Sequence, residues 1–226
     1  MDWRSKVYIY CERGLDPHFW AEPLNAVSNA AFIIAGLAAL YRLSTRRDID
    51  RGWDVWLLSG LVLIIGTGSF LFHTFAEAWA SLADVLPITL FILGFLFVAF
   101  RSLAGLPWWL SLLLLLPFLG LSQWIGDLQC GGRSCLNGSI AYVPALAALA
   151  GFTLYAAATR QPSAPWMGAS LLTFALSLTF RTIDMPYCAE LTFGGLAIGS
   201  HFLWHILNGT LLYLLLRALM ARPVPS

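Results

Sequence analysis

Three of the four histidines in this chain lie in strongly hydrophobic stretches. His201 and His205 are four residues apart in the stretch SHFLWHILNG, so a helix would place both on one face. His73 ends another hydrophobic stretch, one helical turn after Ser69. Ionisable side chains at membrane depth are costly and are usually functional. Three imidazoles that leave one ligand position open are the arrangement of a catalytic zinc site.

Asp84, early in a third hydrophobic stretch, adds a carboxylate to this set. Zinc lowers the pKa of a bound water toward about 7, which would give a hydroxide nucleophile at neutral pH. Asp84 could accept the proton and pass it to a leaving group, or it could orient a ligand histidine. Ser69 could donate a hydrogen bond to a developing oxyanion. We therefore predict a zinc site at His73, His201 and His205, with Asp84 and Ser69 as catalytic residues.

Other chemistries fit parts of the same pattern. Haem ligation would use histidines that face each other from different helices, and His73 with one of the pair could supply them. Two histidines four residues apart on one helix fit a single ion better. A retinal Schiff base is excluded because the only lysine, Lys6, lies outside the hydrophobic stretches. A receptor-like or structural protein, in which the metal only ties helices together, is the alternative function.

The composition predicts the elements that must position these residues. The chain has 226 residues, of which 59% are hydrophobic and 11% charged, whereas soluble domains carry about 25% charged residues. A membrane-spanning helix needs about 20 mostly apolar residues. Seven long, continuous segments qualify, which favours helices over a barrel: 21–43, 53–73, 82–101, 105–124, 138–158, 164–183 and 197–219.

We therefore predict an all-α membrane protein, a bundle of seven transmembrane helices that forms one domain over 1–226. An extramembrane segment would cover 1–20 and a short tail 220–226. The C-terminal side of such a bundle carries eight of the thirteen basic residues: Arg42, Arg46, Arg47, Arg51, Arg101, Arg160, Arg217 and Arg222. By the positive-inside rule this side is cytoplasmic and the N-terminus is outside. The predicted zinc site then lies toward the periplasmic or luminal side.

All four cysteines fall on the predicted outer side, which fits disulfides in an oxidising compartment. Four cysteines allow three pairings. We favour Cys130–Cys135 as a local loop closure and Cys11–Cys188 as a link between the N-terminal segment and the last loop. Four unpaired thiols are the alternative.

Several short motifs together resemble the alkaline ceramidase family. That family belongs to a superfamily of seven-helix membrane hydrolases that includes the adiponectin receptors. The shared motifs are S-x-x-x-H, an Asp eleven residues after that His, H-x-x-x-H at the start of the last helix, Cys-Glu near the N-terminus, and an acidic residue before N-x-x-S-N. Here they are Ser69 with His73, Asp84, His201 with His205, Cys11 with Glu12, and Glu22 before Asn25, Ser28 and Asn29. The resemblance spans nearly the whole chain, from Cys11 to Asn208.

This resemblance implies a zinc-dependent amidase that hydrolyses ceramide to a sphingoid base and a fatty acid. It assigns the three histidines to zinc, Asp84 to acid–base chemistry and Ser69 to stabilisation of the reacting group. A link like Cys11–Cys188 is also similar to one in the family. The partners it implies are a ceramide-like lipid and the bilayer, with no nucleic acid.

The N-terminal motif departs from the family pattern. Eukaryotic members bind calcium with D-W-C-E-x-N and the later Glu, but Ile9 and Gly14 stand at the Asp and Asn positions here. Calcium needs six to eight oxygen ligands. Glu12 and Glu22 remain as candidate calcium ligands, and Asp16 could substitute for a lost one.

Nearby positive charges offer another interpretation of these carboxylates. Arg13 adds a cation inside the motif, so Glu12 and Glu22 could form salt bridges with Arg13 or Arg181. Arg181 and Asp184, near the outer end of the sixth segment, are predicted to pair structurally, with contact to a lipid headgroup as the alternative.

Overall fold

The computed structural model describes residues 2–222. Over this range it contains eight α-helices, one 3-10 helix and two hairpins of very short strands. The α-helices are α1 (Pro23–Ser28), α2 (Ala30–Thr45), α3 (Trp53–Phe75), α4 (Ala78–Ser102), α5 (Trp108–Gly126), α6 (Val143–Ala158), α7 (Ala164–Ile183) and α8 (His201–Met220). The 3-10 helix covers Cys135–Tyr142, and the hairpins pair β1 (Gln129–Cys130) with β2 (Arg133–Ser134) and β3 (Thr192–Phe193) with β4 (Leu196–Ala197).

The helices form seven long segments, because α1 continues into α2 and the 3-10 helix continues into α6. Six of the segments are long and apolar enough to cross a membrane, which confirms an integral, multi-pass helical protein. The remaining segment, α7, is equally long but is less apolar. It is rich in serine and threonine, whose hydroxyls donate hydrogen bonds to carbonyls of the preceding turn. α7 packs along α8.

The first and the last described residues lie at opposite ends of the bundle. The N-terminal segment contacts the turn between α3 and α4, where the Val7 amide donates to the Ala76 carbonyl at 2.8 Å. At the other end, Arg222 forms salt bridges with Asp50 at 2.7 Å and Asp54 at 3.1 Å. Which end faces the cytoplasm stays a prediction.

Both favoured disulfides are present. Cys11–Cys188 joins the N-terminal segment to the loop between α7 and α8, across 177 residues of sequence. Cys130–Cys135 closes the β1–β2 hairpin. The N-terminal segment is therefore covalently held against the end of the bundle where α8 begins.

Helix α5 presents leucines to the outside of the bundle, and Ser111 is its one buried residue. Leu112, Leu113 and Leu116 are exposed on its surface, and exposed tryptophans stand near its two ends at Trp108 and Trp124. Tryptophans at both ends of an apolar helix are typical of a helix whose surface faces lipid.

Two glycines allow the close helix contacts that position the predicted site residues. A Cβ atom at Gly68 of α3 would lie 2.0 Å from the Ala83 carbonyl oxygen of α4. Ser69 and Asp84 are the next residues on these two helices, so this contact brings them side by side. A Cβ at Gly209 of α8 would lie 2.8 Å from a backbone carbon of Ala31 on α2. Small residues commonly permit such close approaches in membrane bundles.

We expect Gly68→Ala to destabilise the protein, because the added methyl group meets backbone rather than a movable side chain. The cost of such overpacking is about 1–3 kcal/mol. Thermal unfolding in detergent micelles should show a lower midpoint for this variant. Gly60→Ala is the matched control, since Gly60 lies on the same helix with nothing within 4 Å of its added Cβ. Equal midpoints for the two variants would contradict the close contact between α3 and α4.

Candidate metal centre

The fold brings the three predicted histidines together in its interior. His73 lies in the last turn of α3, His201 is the first residue of α8, and His205 follows one turn later. One candidate ligand atom from each lies within 4.8 Å of those of the other two. Each residue is only 1% exposed. Within residues 2–222 this is the one cluster of three or more His, Cys, Asp or Glu residues with the geometry to hold a metal ion.

Hydrogen bonds fix which ring nitrogen of two histidines can bind a metal. His73 Nδ1 lies 2.5 Å from Glu22 Oε2, and a carboxylate can only accept, so Nδ1 carries the proton. His205 Nδ1 lies 2.8 Å from the Ser28 hydroxyl, which itself donates to the Asn25 carbonyl at 3.0 Å. Nδ1 of His205 is therefore also the donor. In both rings Nε2 keeps a free lone pair.

Two buried ring nitrogens have no hydrogen-bond partner in the structure: His73 Nε2 and His201 Nδ1. A buried polar atom without a partner is costly, and metal coordination would remove that cost at His73. Imidazole is also a ligand type that suits zinc. The residues present thus fit a three-histidine metal site.

His201 is held by stacking and by the capped start of its helix. The Tyr10 ring stacks on the His201 ring, with their centroids 3.8 Å apart. Burial raises the pKa of the Tyr10 phenol above its usual value, although Arg181 opposes this, so Tyr10 is neutral at physiological pH. Asp184 Oδ1 accepts hydrogen bonds from the amides of Ser200 at 2.7 Å and His201 at 3.0 Å.

The predicted pairing of Arg181 with Asp184 is not found. Asp184 is committed to backbone amides, because its Oδ2 also accepts from the Cys11 amide at 3.0 Å. Arg181 instead donates to the Tyr10 hydroxyl at 3.2 Å. Its guanidinium lies 5.4–5.9 Å from the ring centres of Tyr10, Tyr142 and Trp204. Backbone amides at the start of a helix compete well for a carboxylate, and the aromatic rings attract the cation.

Asp84 and Ser69 are buried together where α3 and α4 touch, at 8% and 3% exposure. The Asp84 backbone nitrogen lies 3.3 Å from where a Cβ atom on Gly68, the residue before Ser69, would stand. Its Oδ1 has no hydrogen-bond partner. Asp84 does not belong to the cluster whose ligand atoms converge, which contains the three histidines alone.

The three candidate calcium ligands do not converge on one point. Glu12 accepts hydrogen bonds from the amides of Leu24 at 2.7 Å and Asn25 at 2.8 Å. Burial raises the pKa of Glu12, and these two amides oppose the shift. Asp16 bonds to His18 on the surface, whereas Glu22 forms a buried salt bridge with Arg13 at 2.5 Å. For Glu22 the salt-bridge interpretation is therefore the one observed.

Several residues around the histidines carry roles that the sequence did not reveal. Glu22 and Ser28 belong to a short motif, but nothing in its spacing links them to His73 and His205. Tyr10 gave no signal, because a single tyrosine in a polar N-terminal segment has no periodic context. One feature of the sequence does point to this region. Polar motif residues are concentrated between Cys11 and Asn29, although a membrane-spanning helix begins there and needs no polar residues.

An apolar cavity of about 80 Å³ lies inside the bundle, next to the histidines. Phe32 and Trp204 line it, and their ring centres lie 6.2 Å from His205 and 6.3 Å from His201 respectively. The rest of the lining is almost entirely aliphatic and aromatic, with Asn208 as a polar exception. The same two rings therefore border both the imidazole cluster and the cavity.

Comparison with known proteins gives one positive result. The family model described as Ceramidase matches residues 10–222, which is nearly the whole chain. No curated protein matches the chain. The matched range includes the three clustered histidines, Ser69, Asp84 and the Cys11–Cys188 link. The chain therefore belongs to the ceramidase family, whose membership implies a membrane hydrolase that acts on the amide bond of a lipid.

Proposed function

We propose that this protein is a zinc-dependent intramembrane amidase that hydrolyses ceramide to a sphingoid base and a fatty acid. One observation carries the proposal: three buried imidazoles converge without a fourth His, Cys, Asp or Glu ligand among residues 2–222, beside a buried carboxylate. Structural zinc sites are closed by four protein ligands, whereas catalytic sites keep one position open. His73, His201 and His205 would hold the ion.

The tautomers support metal binding by the histidines. Glu22 and Ser28 accept the Nδ1 protons of His73 and His205, which leaves Nε2 of each ring available. Hydrogen bonds of this kind orient ligand imidazoles and increase their basicity. When bound, zinc would polarise an amide carbonyl and lower the pKa of water to about 7.

The protein's own groups would manage the proton and the developing charge. Asp84 would take the proton from the attacking water as the new C–O bond forms at the amide carbon. It would return this proton to the amide nitrogen as the C–N bond breaks, so that the sphingoid base leaves as an amine. The Ser69 hydroxyl would donate a hydrogen bond to the amide oxygen while that oxygen carries negative charge.

The apolar cavity supports a substrate with a hydrocarbon chain. It is bordered by Phe32 and Trp204, the rings that also contact the imidazole cluster. A chain of the lipid would lie in this cavity, with the amide held at the histidines. In the predicted orientation, hydrolysis takes place toward the outer side of the membrane.

His205→Ala should remove both metal binding and ceramide hydrolysis, because two imidazoles do not make a complete site. Zinc content of the purified protein and hydrolysis of ceramide in mixed micelles measure the two effects. His18→Ala is the matched control, since the His18 side chain is 84% exposed on the surface. Full turnover by a metal-free His205→Ala protein would overturn the mechanism.

Asp84→Asn separates the enzyme from the second candidate function, a structural protein whose metal only joins α3 and α8. In the enzyme, the variant keeps its zinc but loses about 10²–10⁴-fold in kcat, the usual contribution of general acid–base catalysis. In a structural protein, the change would mainly lower the unfolding midpoint. Zinc content, kcat and thermal unfolding of one preparation decide between the two.

Ala145→Leu should narrow the cavity and reduce hydrolysis of long-chain ceramides relative to short-chain ones. In an apolar pocket, one extra or missing methylene group changes kcat/KM by about 10–200-fold. Ala147→Leu is the control, because Ala147 lies on the same helix but is exposed and does not line the cavity. An unchanged chain-length preference in Ala145→Leu would show that the chain binds elsewhere.

A further inference from the structure

Arg13 is a buried cation enclosed by oxygen atoms. Its side chain is 0% exposed. Nε donates to Glu22 Oε1 at 2.5 Å, and the two terminal nitrogens donate to four backbone carbonyls. Those carbonyls are at Asp16 (3.0 Å), His18 (2.9 Å), His73 (2.9 Å) and Thr74 (3.3 Å). A guanidinium has five N–H donors, so these five bonds use all of them.

This cage connects the N-terminal segment to the helix that carries His73. Two of its carbonyls belong to the last turn of α3, where backbone carbonyls have no partner within the helix. A positive charge at a helix C-terminus also interacts favourably with the helix dipole. Arg13 therefore supplies both the missing hydrogen bonds and the charge that this helix end prefers.

Glu22 extends the connection to the imidazole itself. One carboxylate oxygen accepts from Arg13, while the other accepts from His73 Nδ1 at 2.5 Å and from the Asn25 side chain at 3.0 Å. The guanidinium thus holds the carboxylate that sets the tautomer and the orientation of a metal ligand. Groups that bond to ligand histidines in this way affect metal affinity.

The residues around Arg13 do not fit a calcium ion. Calcium requires six to eight oxygens, but both oxygens of Glu12 bond to amides and both oxygens of Glu22 have donors already. Asp16 bonds to His18 at the surface. A guanidinium at the centre of the carbonyl oxygens would also repel a second cation.

We propose that Arg13 serves as a built-in cation that positions Glu22, and through it His73, so that the histidine metal centre is assembled without calcium. Arg13 is a positioning residue, since it does not touch the metal ligands' coordinating atoms. This proposal rests on the three-histidine metal site of the proposed function, but not on any particular substrate or reaction.

The test measures zinc affinity and calcium response without substrate. Zinc affinity is determined by competition with a chromophoric chelator, and thermal unfolding is followed in calcium-free buffer with and without added millimolar calcium. We expect the wild-type protein to give the same affinity and midpoint with and without calcium. We expect Arg13→Gln to bind zinc about 10–100-fold more weakly. The zinc affinity of Arg13→Lys should fall between those of the wild-type protein and Arg13→Gln, because lysine keeps the charge but has three donors rather than five.

Arg4→Gln is the matched control, because Arg4 is an exposed residue of the same N-terminal segment and should leave zinc affinity unchanged. If Arg13→Gln fails to fold, Glu22→Gln tests the same link between Arg13 and His73 with a smaller change, and it should also weaken zinc binding. Calcium-dependent stability in the wild-type protein, or wild-type zinc affinity in both Arg13→Gln and Glu22→Gln, would overturn the proposal. Absence of ceramide hydrolysis would contradict the proposed function alone, since neither measurement here involves substrate.

Discussion

A buried imidazole in an apolar helix bundle has two ring nitrogens, and each needs a partner. In hydrocarbon an unpaired polar group costs several kcal/mol, because no water is present to replace the missing bond. His73 and His205 satisfy one nitrogen each through Glu22 and Ser28. One candidate ligand atom from each of the three histidines lies within 4.8 Å of the others, and His73 Nε2 and His201 Nδ1 have no hydrogen-bond partner. The cluster could therefore hold a metal ion.

The partners of the histidines must themselves be held, and this explains why so much of the N-terminal segment is buried. Arg13 fixes Glu22, and Tyr10 stacks on His201. The disulfide between Cys11 and Cys188 keeps the segment in place across 177 residues of sequence. A segment that looks like a polar extramembrane tail is thus part of the support for the histidine cluster.

Helix packing sets the remaining geometry of the site. Gly68 lets α3 and α4 approach until Ser69 and Asp84 are neighbours, and Gly209 lets α8 approach α2 near Ser28. The same bundle leaves an apolar cavity bordered by Phe32 and Trp204. The imidazole cluster and the apolar cavity therefore share two aromatic rings as a common border. Membership of the ceramidase family is consistent with this arrangement.

Local sequence patterns suffice to predict the class of the fold and to identify the histidines as candidate metal ligands. Long apolar segments require helices in a membrane, and histidines spaced by four residues must share a helix face, so both follow from local rules. The predicted cysteine pairing is confirmed as well. Cys130 and Cys135 are close enough in sequence to close a short loop, and Cys11 and Cys188 are the two cysteines that remain. Among the seven long segments, α7 has a composition that predicts a membrane-spanning helix least clearly, because it is less apolar than the other six.

Local patterns do not predict which buried polar groups meet. Asp184 caps α8 instead of pairing with Arg181, and Glu22 bonds to Arg13 and His73 instead of joining Glu12 and Asp16. Ser28 and His205 are 177 residues apart, so no local pattern could connect them. A carboxylate takes whichever donors the packed backbone places nearest, and those positions depend on how distant segments come together.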